Sequence, residues 1–472
     1  MKRTKIICTL GPASSDPVVL EKMIRNGMDI ARLNFSHGSY EDHAERIALV
    51  REVAQKLGVQ VGILADLQGP KIRTGSLAQE PLVLTEGQPL ILTTDPARQQ
   101  ERGVVFVDYP PLDRQVGVGS RIYLADGMIS LTVKACSAGS VTCEVESGGE
   151  LTSHKGITLP GVSVNLPALT EKDRQDLDFV IGRQLDFVAV SFARKAEHLA
   201  EIRDLIAQKS GRQLLIAKIE NQEGVNNSPE IIKECDGIMV ARGDLGVEVP
   251  LEEVPLLQRY LIELCNTVGK PVITATEMLE SMVRNPRPTR AEITDIAHAI
   301  YDGTDAIMLS AETAVGKYPA AAVEMMSRVA QKTEDSLKYE EILAKKKAVS
   351  PPSIAGAISH ATCQAAIDLN VKAIICSTQS GSTARMVSKY RPPVPVIAAT
   401  PFEYIARQLT LSWGVSPVIV PFSKDIDSMI DAGVSAARNG GWVGKGDLVV
   451  ISAGVRTGVP GSTNLLKVHE VE

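Results

Sequence analysis

Aromatic residues make up only 4% of these 472 residues, so aliphatic side chains must do most of the core packing. The seven cysteines contain no C-x-x-C pair, and no H-E-x-x-H occurs. Common zinc and dithiol-redox spacings are thereby excluded, and the thiols read as reduced, as in a cytoplasmic protein. Apolar runs stay well short of the roughly 20 residues that span a bilayer. The run Ile6-Ile7-Cys8-Thr9-Leu10 behind the basic N-terminus is cut by Gly11-Pro12, too early for a signal-peptide core. No membrane association is expected. Nor is positive charge in excess: the formal net charge is -6, which argues against a broad nucleic-acid face. Both G-x-x-x-x-G-K-[ST] and G-x-G-x-x-G are missing, so any nucleotide must be held by other means.

What is present is periodic. Eight short apolar runs end in polar or charged residues: Lys5–Leu10, Ile30–Phe35, Val61–Asp66, Phe187–Phe192, Leu214–Glu220, Gly237–Val240, Pro271–Thr276 and Ala306–Ser310. Near-continuous apolar strands suit a parallel sheet buried on both faces. Eight of them with helical segments between predict an α/β fold of (β/α)8 type, with an open doubly wound sheet as the alternative. Between the third and fourth runs, Pro81–Thr94 and Arg121–Glu146 alternate apolar and polar residues around glycine turns, the pattern of antiparallel β structure. The charged segment Lys338–Pro352 reads as a boundary, and helix and strand patterns alternate again after it. The expected division is a barrel over 1–70 and 170–345, an inserted small β-barrel lid over 71–169, and an open α/β domain over 346–472.

The run ends carry the chemistry. Arg32, Asn34 and Ser36 alternate with apolar residues, so on a strand they share one face; a merely solvated edge strand would look the same. Lys218 and Glu220 likewise share a face at the end of Leu214–Glu220. Buried charges need partners or ligands. Lysine can neutralise developing negative charge and glutamate can hold a hard cation; a structural ion pair is the plainer reading. In Ala241-Arg242-Gly243-Asp244 the glycine permits close backbone approach to a ligand. Asp244 is either a second Mg2+ carboxylate or a helix cap. Thr276 and Ser310 add hydroxyls at the last two run ends. In a barrel of this type all these residues fall on the C-terminal face, where active sites form.

The segments Ala31–Gly38, Asp66–Gly75, Lys155–Gly161, Ile216–Gly224, Met239–Glu248, Thr274–Arg290 and Asp302–Gly316 together resemble the signatures of the pyruvate kinase family, in the family's order and over essentially the whole chain. The resemblance implies phosphoryl transfer from phosphoenolpyruvate to ADP, giving pyruvate and ATP as the last step of glycolysis, in a cytoplasmic homotetramer. It implies Glu220 and Asp244 as ligands of Mg2+, with Mn2+ as a substitute. Arg32 and Lys218 then face the phosphoryl group, and Lys218 also stabilises the enolate. Ala241, Arg242, Gly243, Asp244 and Thr276 surround the substrate carboxylate. Asn34, Ser36, His37, Arg73 and Lys155 form the nucleotide side. Thr276 and Ser310 are the candidates for relaying a proton to the enolate. Two other readings are another phosphoenolpyruvate or pyruvate barrel, such as an aldolase, and a non-catalytic paralogue that keeps the fold.

The chain departs from many relatives at Leu67, Gln68 and Lys71, where Thr, Lys and Glu are common in members that need K+. The family's monovalent-cation positions fall on Asn34, Ser36, Asp66 and Leu67. Lys71 places an ammonium where a carboxylate is usual, which resembles the K+-independent branch and predicts no K+ requirement; a solvent-facing hinge lysine is the plainer reading. Glu277 stands where the family usually has Gln. In Ser377-Thr378-Gln379-Ser380-Gly381-Ser382-Thr383, hydroxyls and backbone N–H groups precede a helix, which suits a phosphate. The family binds a sugar-phosphate effector at a similar loop; fructose 1,6-bisphosphate, a sugar monophosphate and AMP all fit, and so does a simple capped turn.

Overall fold

The structure, a computed structural model, describes residues 2–423, 425–454 and 463–472. All eight apolar runs form strands, and these close into one parallel barrel. Around the ring the order is Lys5–Thr9, Ala306–Leu309, Val272–Ala275, Gly237–Ala241, Leu214–Ile219, Phe187–Val190, Gly62–Asp66 and Ile30–Asn34, which pairs back to the first. The open-sheet alternative is therefore excluded. Alternate residues explain the unbroken apolar pattern. Ile7, Ile30, Leu64, Phe187, Ile216, Met239, Ile273 and Met308 fill the inside, while Ile6, Ala31, Ile63, Val188 and Ala217 pack outward beneath the helices. Several helices begin where the sequence supplies both halves of a capping box: Ser39 with Asp42, Thr170 with Asp173, and Thr289 with Glu292.

Between the third and fourth barrel strands lies a separate unit with its own apolar core. Its six-stranded sheet runs Ile157–Thr158, Arg121–Leu124, Ile129–Ser137, Ser140–Ser147, Pro89–Thr93 and Val104–Phe106. Four of its pairings are antiparallel, as the alternation predicts. Pro89–Thr93 and Val104–Phe106 are parallel, because the intervening segment, with a short turn of helix at Pro96–Arg98, carries the chain back to the starting end.

The C-terminal unit is an open sheet ordered Val415–Ile419, Val396–Thr400, Ala373–Ser377, Leu448–Gly454 and Thr463–Glu470, the last strand antiparallel. The charged segment expected to be a boundary forms, over most of its length, the helix Tyr339–Val349. Its acidic residues lead, its lysines trail and Leu343 is buried, an order that favours the helix dipole. This unit docks on the N-terminal end of the barrel. Leu411 joins the inner barrel core, Arg391 pairs with Asp305 at 2.7 Å, and Arg407 pairs with Asp186 at 2.7 Å. A Cβ at Gly62 would lie 2.6 Å from Thr410 Oγ1, so the third strand must start with glycine for the two units to meet. The C-terminal barrel face is left to the inserted unit.

Candidate active site

The barrel's strand ends bring the predicted residues together around a cavity of about 660 Å³. Arg32, Asn34, Ser36 and His37 enter from the second strand, Asp66 and Leu67 from the third, and Lys218 and Glu220 from the fifth. Gly243 and Asp244 follow the sixth, while Arg73 and Lys155 approach from the inserted unit. Arg32 and Asn34 share the cavity face, as the alternation requires; Ser36 lies past the strand end, in a turn, and lines the cavity as well.

At the centre is a buried charge network. Asp66 accepts from Arg32 Nε at 2.7 Å through one oxygen and pairs with Lys218 Nζ at 3.0 Å through the other. Arg32 also donates to Thr9 Oγ1 at 2.8 Å. Lys218 reaches Glu220 Oε1 at 2.9 Å and donates to Ser191 Oγ at 2.7 Å, and Ser191 donates in turn to the Leu67 carbonyl at 2.7 Å. Burial alone would raise the Asp66 pKa, but Lys218 and Arg32 hold it below the usual carboxylate range. Burial works against the Lys218 ammonium, yet Asp66 and Glu220 outweigh it and keep the group protonated. Burial, with the negative charge of Asp244 also contributing, raises the Glu220 pKa against the pull of Lys218.

Beside this network the chain is held in sparsely populated backbone. Phe192 sits at φ 55°, Thr276 at 68° and Glu277 at 56°, strain of the kind that clusters at active sites. The Phe192 N–H donates to Glu220 Oε2 at 2.7 Å, fixing that carboxylate. Gly243 N–H donates to Thr276 Oγ1 at 2.9 Å. Arg242 turns away from the cavity: its guanidinium holds Asp295 at 2.7 Å and the Thr276 carbonyl at 2.6 Å. It braces the Thr276 turn, leaving its backbone, not its side chain, on the site. Ser310 Oγ is buried without a hydrogen-bond partner among the described residues.

Lys71 bridges the two units. Its ammonium lies 2.8 Å from Asp126 in the inserted sheet's hairpin and 3.4 Å from Asp244 on the barrel. Burial lowers its pKa, but Asp244 and Asp126 raise it further, so the charge is retained. It lines the same cavity as Asn34, Ser36, Asp66 and Leu67 but pairs with none of them. The loop Ser377–Thr383 lies far from this face, between the strand Ala373–Ser377 and the helix Ser382–Lys389. Thr378 Oγ1 accepts from Gly381 N–H at 2.9 Å, and Arg385 donates to the Ser380 carbonyl at 2.7 Å.

Family comparison settles what this architecture belongs to. Residues 1–323 match the family model described as "Pyruvate kinase, barrel domain", and residues 356–469 match "Pyruvate kinase, alpha/beta domain". The chain belongs to the pyruvate kinase family. It is 49% identical to the pyruvate kinase of Geobacillus stearothermophilus, over all of this chain and 80% of that one, and 48% identical to that of Clostridium acetobutylicum over the full length of both. The crystal structure of a pyruvate kinase from Cryptosporidium parvum superposes with a TM-score of 0.95 at 38% identity, covering all of this chain and 96% of the other. The protein is thus a phosphotransferase with a TIM-barrel fold, and no helix among the described residues is long and apolar enough to cross a membrane.

The residues present fit the divalent cation expected from the sequence resemblance. Among the described residues no group of three or more His, Cys, Asp or Glu side chains forms a metal cage. Glu220 and Asp244 nevertheless open onto one cavity with interacting negative charges. Two carboxylates, with substrate oxygens completing the shell, are what Mg2+ usually takes from a protein. Thr9, Ser191 and Asp126 were not singled out from the sequence. Thr9 and Ser191 lie at the ends of the first and fourth runs, so the rule that found Thr276 would have found them. Asp126 had no such signal; its contact with Lys71 crosses between units.

Proposed function

We propose that the protein transfers the phosphoryl group of phosphoenolpyruvate to ADP, releasing pyruvate and ATP, with Mg2+ and without K+. The observation that carries this is the network of Arg32, Asp66, Lys218 and Glu220 at the barrel mouth, opposite Arg73 and Lys155 of the inserted unit. Phosphoryl transfer asks for positioning and charge neutralisation more than covalent help, and the network offers two fixed cations where charge would shift.

In this reading the substrate carboxylate lies against Thr276 and the Gly243 backbone, whose mutual hydrogen bond would open to receive it. Arg32 and Lys218 face the phosphoryl oxygens. The bond between phosphorus and the enol oxygen breaks as a bond to the terminal ADP oxygen forms, and Lys218 stabilises the enolate left behind. That enolate takes a proton at carbon, relayed through Thr276 or Ser310. Mg2+ or Mn2+ held by Glu220 and Asp244 would add positive charge on the substrate oxygens. ADP lies along Asn34, Ser36, His37, Arg73 and Lys155, and closure of the inserted unit excludes water. The Lys71 ammonium supplies the charge that K+ brings at Asn34, Ser36, Asp66 and Leu67 in other members, moving from Asp126 toward them as the lid closes. The protein acts in the cytoplasm as a homotetramer, regulated by a sugar phosphate or AMP at Ser377–Thr383.

Pyruvate formation from phosphoenolpyruvate, ADP and Mg2+ in K+-free buffer tests this directly. Turnover that needs ADP supports the reading and rules out an aldolase. Turnover only after K+ is added would keep the kinase and remove Lys71 from its role. Silence in both, with and without fructose 1,6-bisphosphate, a sugar monophosphate or AMP, would favour a non-catalytic paralogue.

A further inference from the structure

A second cavity, of about 340 Å³, lies beside the catalytic one and shares Lys71 and Phe192 with it as a wall. On one side are the two segments that connect the inserted unit to the barrel, contributing Ile72, Ile157, Leu159 and Val164. On the other is the barrel rim, contributing Arg194, Asn221 and Glu248. The volume falls at the lower end of the range for small-molecule pockets, roughly 300–1,000 Å³.

Three of its polar side chains, Arg194, Glu248 and Asn221, have groups left without partners among the described residues. Arg194 is 7% exposed, yet its guanidinium makes no hydrogen bond or ion pair among the described residues; it rests over the Phe192 ring, 5.6 Å from the centroid. A buried charge without a partner is costly. Glu248 faces the same cavity, also without a hydrogen bond or ion pair, and burial pushes its pKa up to about 7 despite the nearby charge of Arg194. The Asn221 Nδ2 is buried with no acceptor. The remaining carboxylate in the wall, Glu223, is already occupied by the Ser163 hydroxyl at 3.1 Å and by Lys195 at 4.0 Å. One space thus holds an unmatched cation, an unmatched carboxylate, a spare amide donor and an apolar wall.

We propose that this cavity is a second ligand site, for a small zwitterion of the α-amino-acid class with an apolar side chain. The ligand carboxylate pairs with Arg194, its ammonium with Glu248, and its side chain lies against Ile157, Leu159 and Val164. A plain anion would leave Glu248 unmatched, and a plain amine would leave Arg194 unmatched. Because both connecting segments form the wall, an occupant ties them to the barrel rim and biases the position of the lid. Binding there and ADP binding are then reciprocally linked.

Calorimetric titration of the full-length protein tests the proposal without relying on turnover, so its outcome is separate from that of the kinase reading. The probes are L-alanine, L-valine, L-leucine and L-phenylalanine, with isocaproate and isoamylamine as leucine lacking one charge or the other. At least one amino acid is expected to bind, and, where leucine binds, the two single-charge analogues should bind about tenfold more weakly or worse, a difference of about 1.4 kcal/mol. Arg194→Met should abolish binding by removing the cation. Val164→Trp should abolish it by filling the cavity from the lid side, with the melting temperature retained, so the test survives if Arg194→Met fails to fold. Absence of binding by every amino acid overturns the proposal. So does isocaproate binding as tightly as leucine, or binding unchanged in Val164→Trp.

Discussion

Replacing Asp66 by asparagine removes the carboxylate that touches both Arg32 and Lys218, at 2.7 and 3.0 Å. Asp66 is 1% exposed, and the two cations it holds are nearly as deep. Deleting one partner of a buried pair costs about 3–5 kcal/mol, because the remaining charge is left uncompensated. The cavity opens on one side of the network, so the lower figure of about 3 kcal/mol is the better expectation. For a barrel of this size that corresponds to a fall of about 6–12 °C in Tm. Differential scanning calorimetry at pH 7 reads it. The pH dependence is signed as well. The folded pKa of Asp66 lies below its unfolded value, so its contribution is complete above about pH 4 and fades as the pH falls through the folded pKa. The gap between wild type and Asp66→Asn should therefore close in acid. Activity should fall at least about a hundredfold, since both cations lose the group that aims them. A Tm shift below about 2 °C at pH 7, or a gap that widens in acid, would refute the charge network as the organiser of the site.

Other perturbations have equally definite outcomes. Lys71→Glu should make turnover depend on K+ over tetramethylammonium in steady-state assays where the wild type shows no preference; equal indifference in both proteins would remove Lys71 from that role. Leu411→Ala deletes the residue that the C-terminal unit contributes to the inner barrel core, and should cost about 2–5 kcal/mol in urea unfolding, whereas a cost below about 1 kcal/mol would mean the barrel floor closes without it. Glu248→Gln should raise Tm relative to wild type by an amount that grows from pH 4 to 7 and levels off above it. The wild-type carboxylate, pushed up to about 7 by burial, loses its proton in the folded state only at that end of the range; a pH-independent gap would contradict this.

Much of this protein is written locally. The eight barrel strands are legible because each is apolar on both faces, so the runs are unbroken and their ends are abrupt. Those ends also disclose the site. Parallel strands present all their C-terminal ends on one side, so Arg32, Lys218, Glu220, Asp244 and Thr276 converge without any contact being known in advance. The family motifs add the roles, which sequence spacing alone left open between structural and chemical readings.

Tertiary structure decided the rest, and the reason is that partners distant in sequence choose one another only in the fold. Lys218 shows this: its charge is plain in the sequence, but its sharing of Asp66 with Arg32, and of Ser191 with the Leu67 carbonyl, depends on the ends of four separate strands arriving together. Lys71 reads as a cation near the phosphoryl site, yet its present partners are Asp126, in another unit, and Asp244. Leu411 is an ordinary apolar residue until the C-terminal unit inserts it beneath the barrel. Arg194 carries no signal at all in the sequence, because what distinguishes it is the absence of a partner among the described residues, and an absence of that kind exists only in the fold.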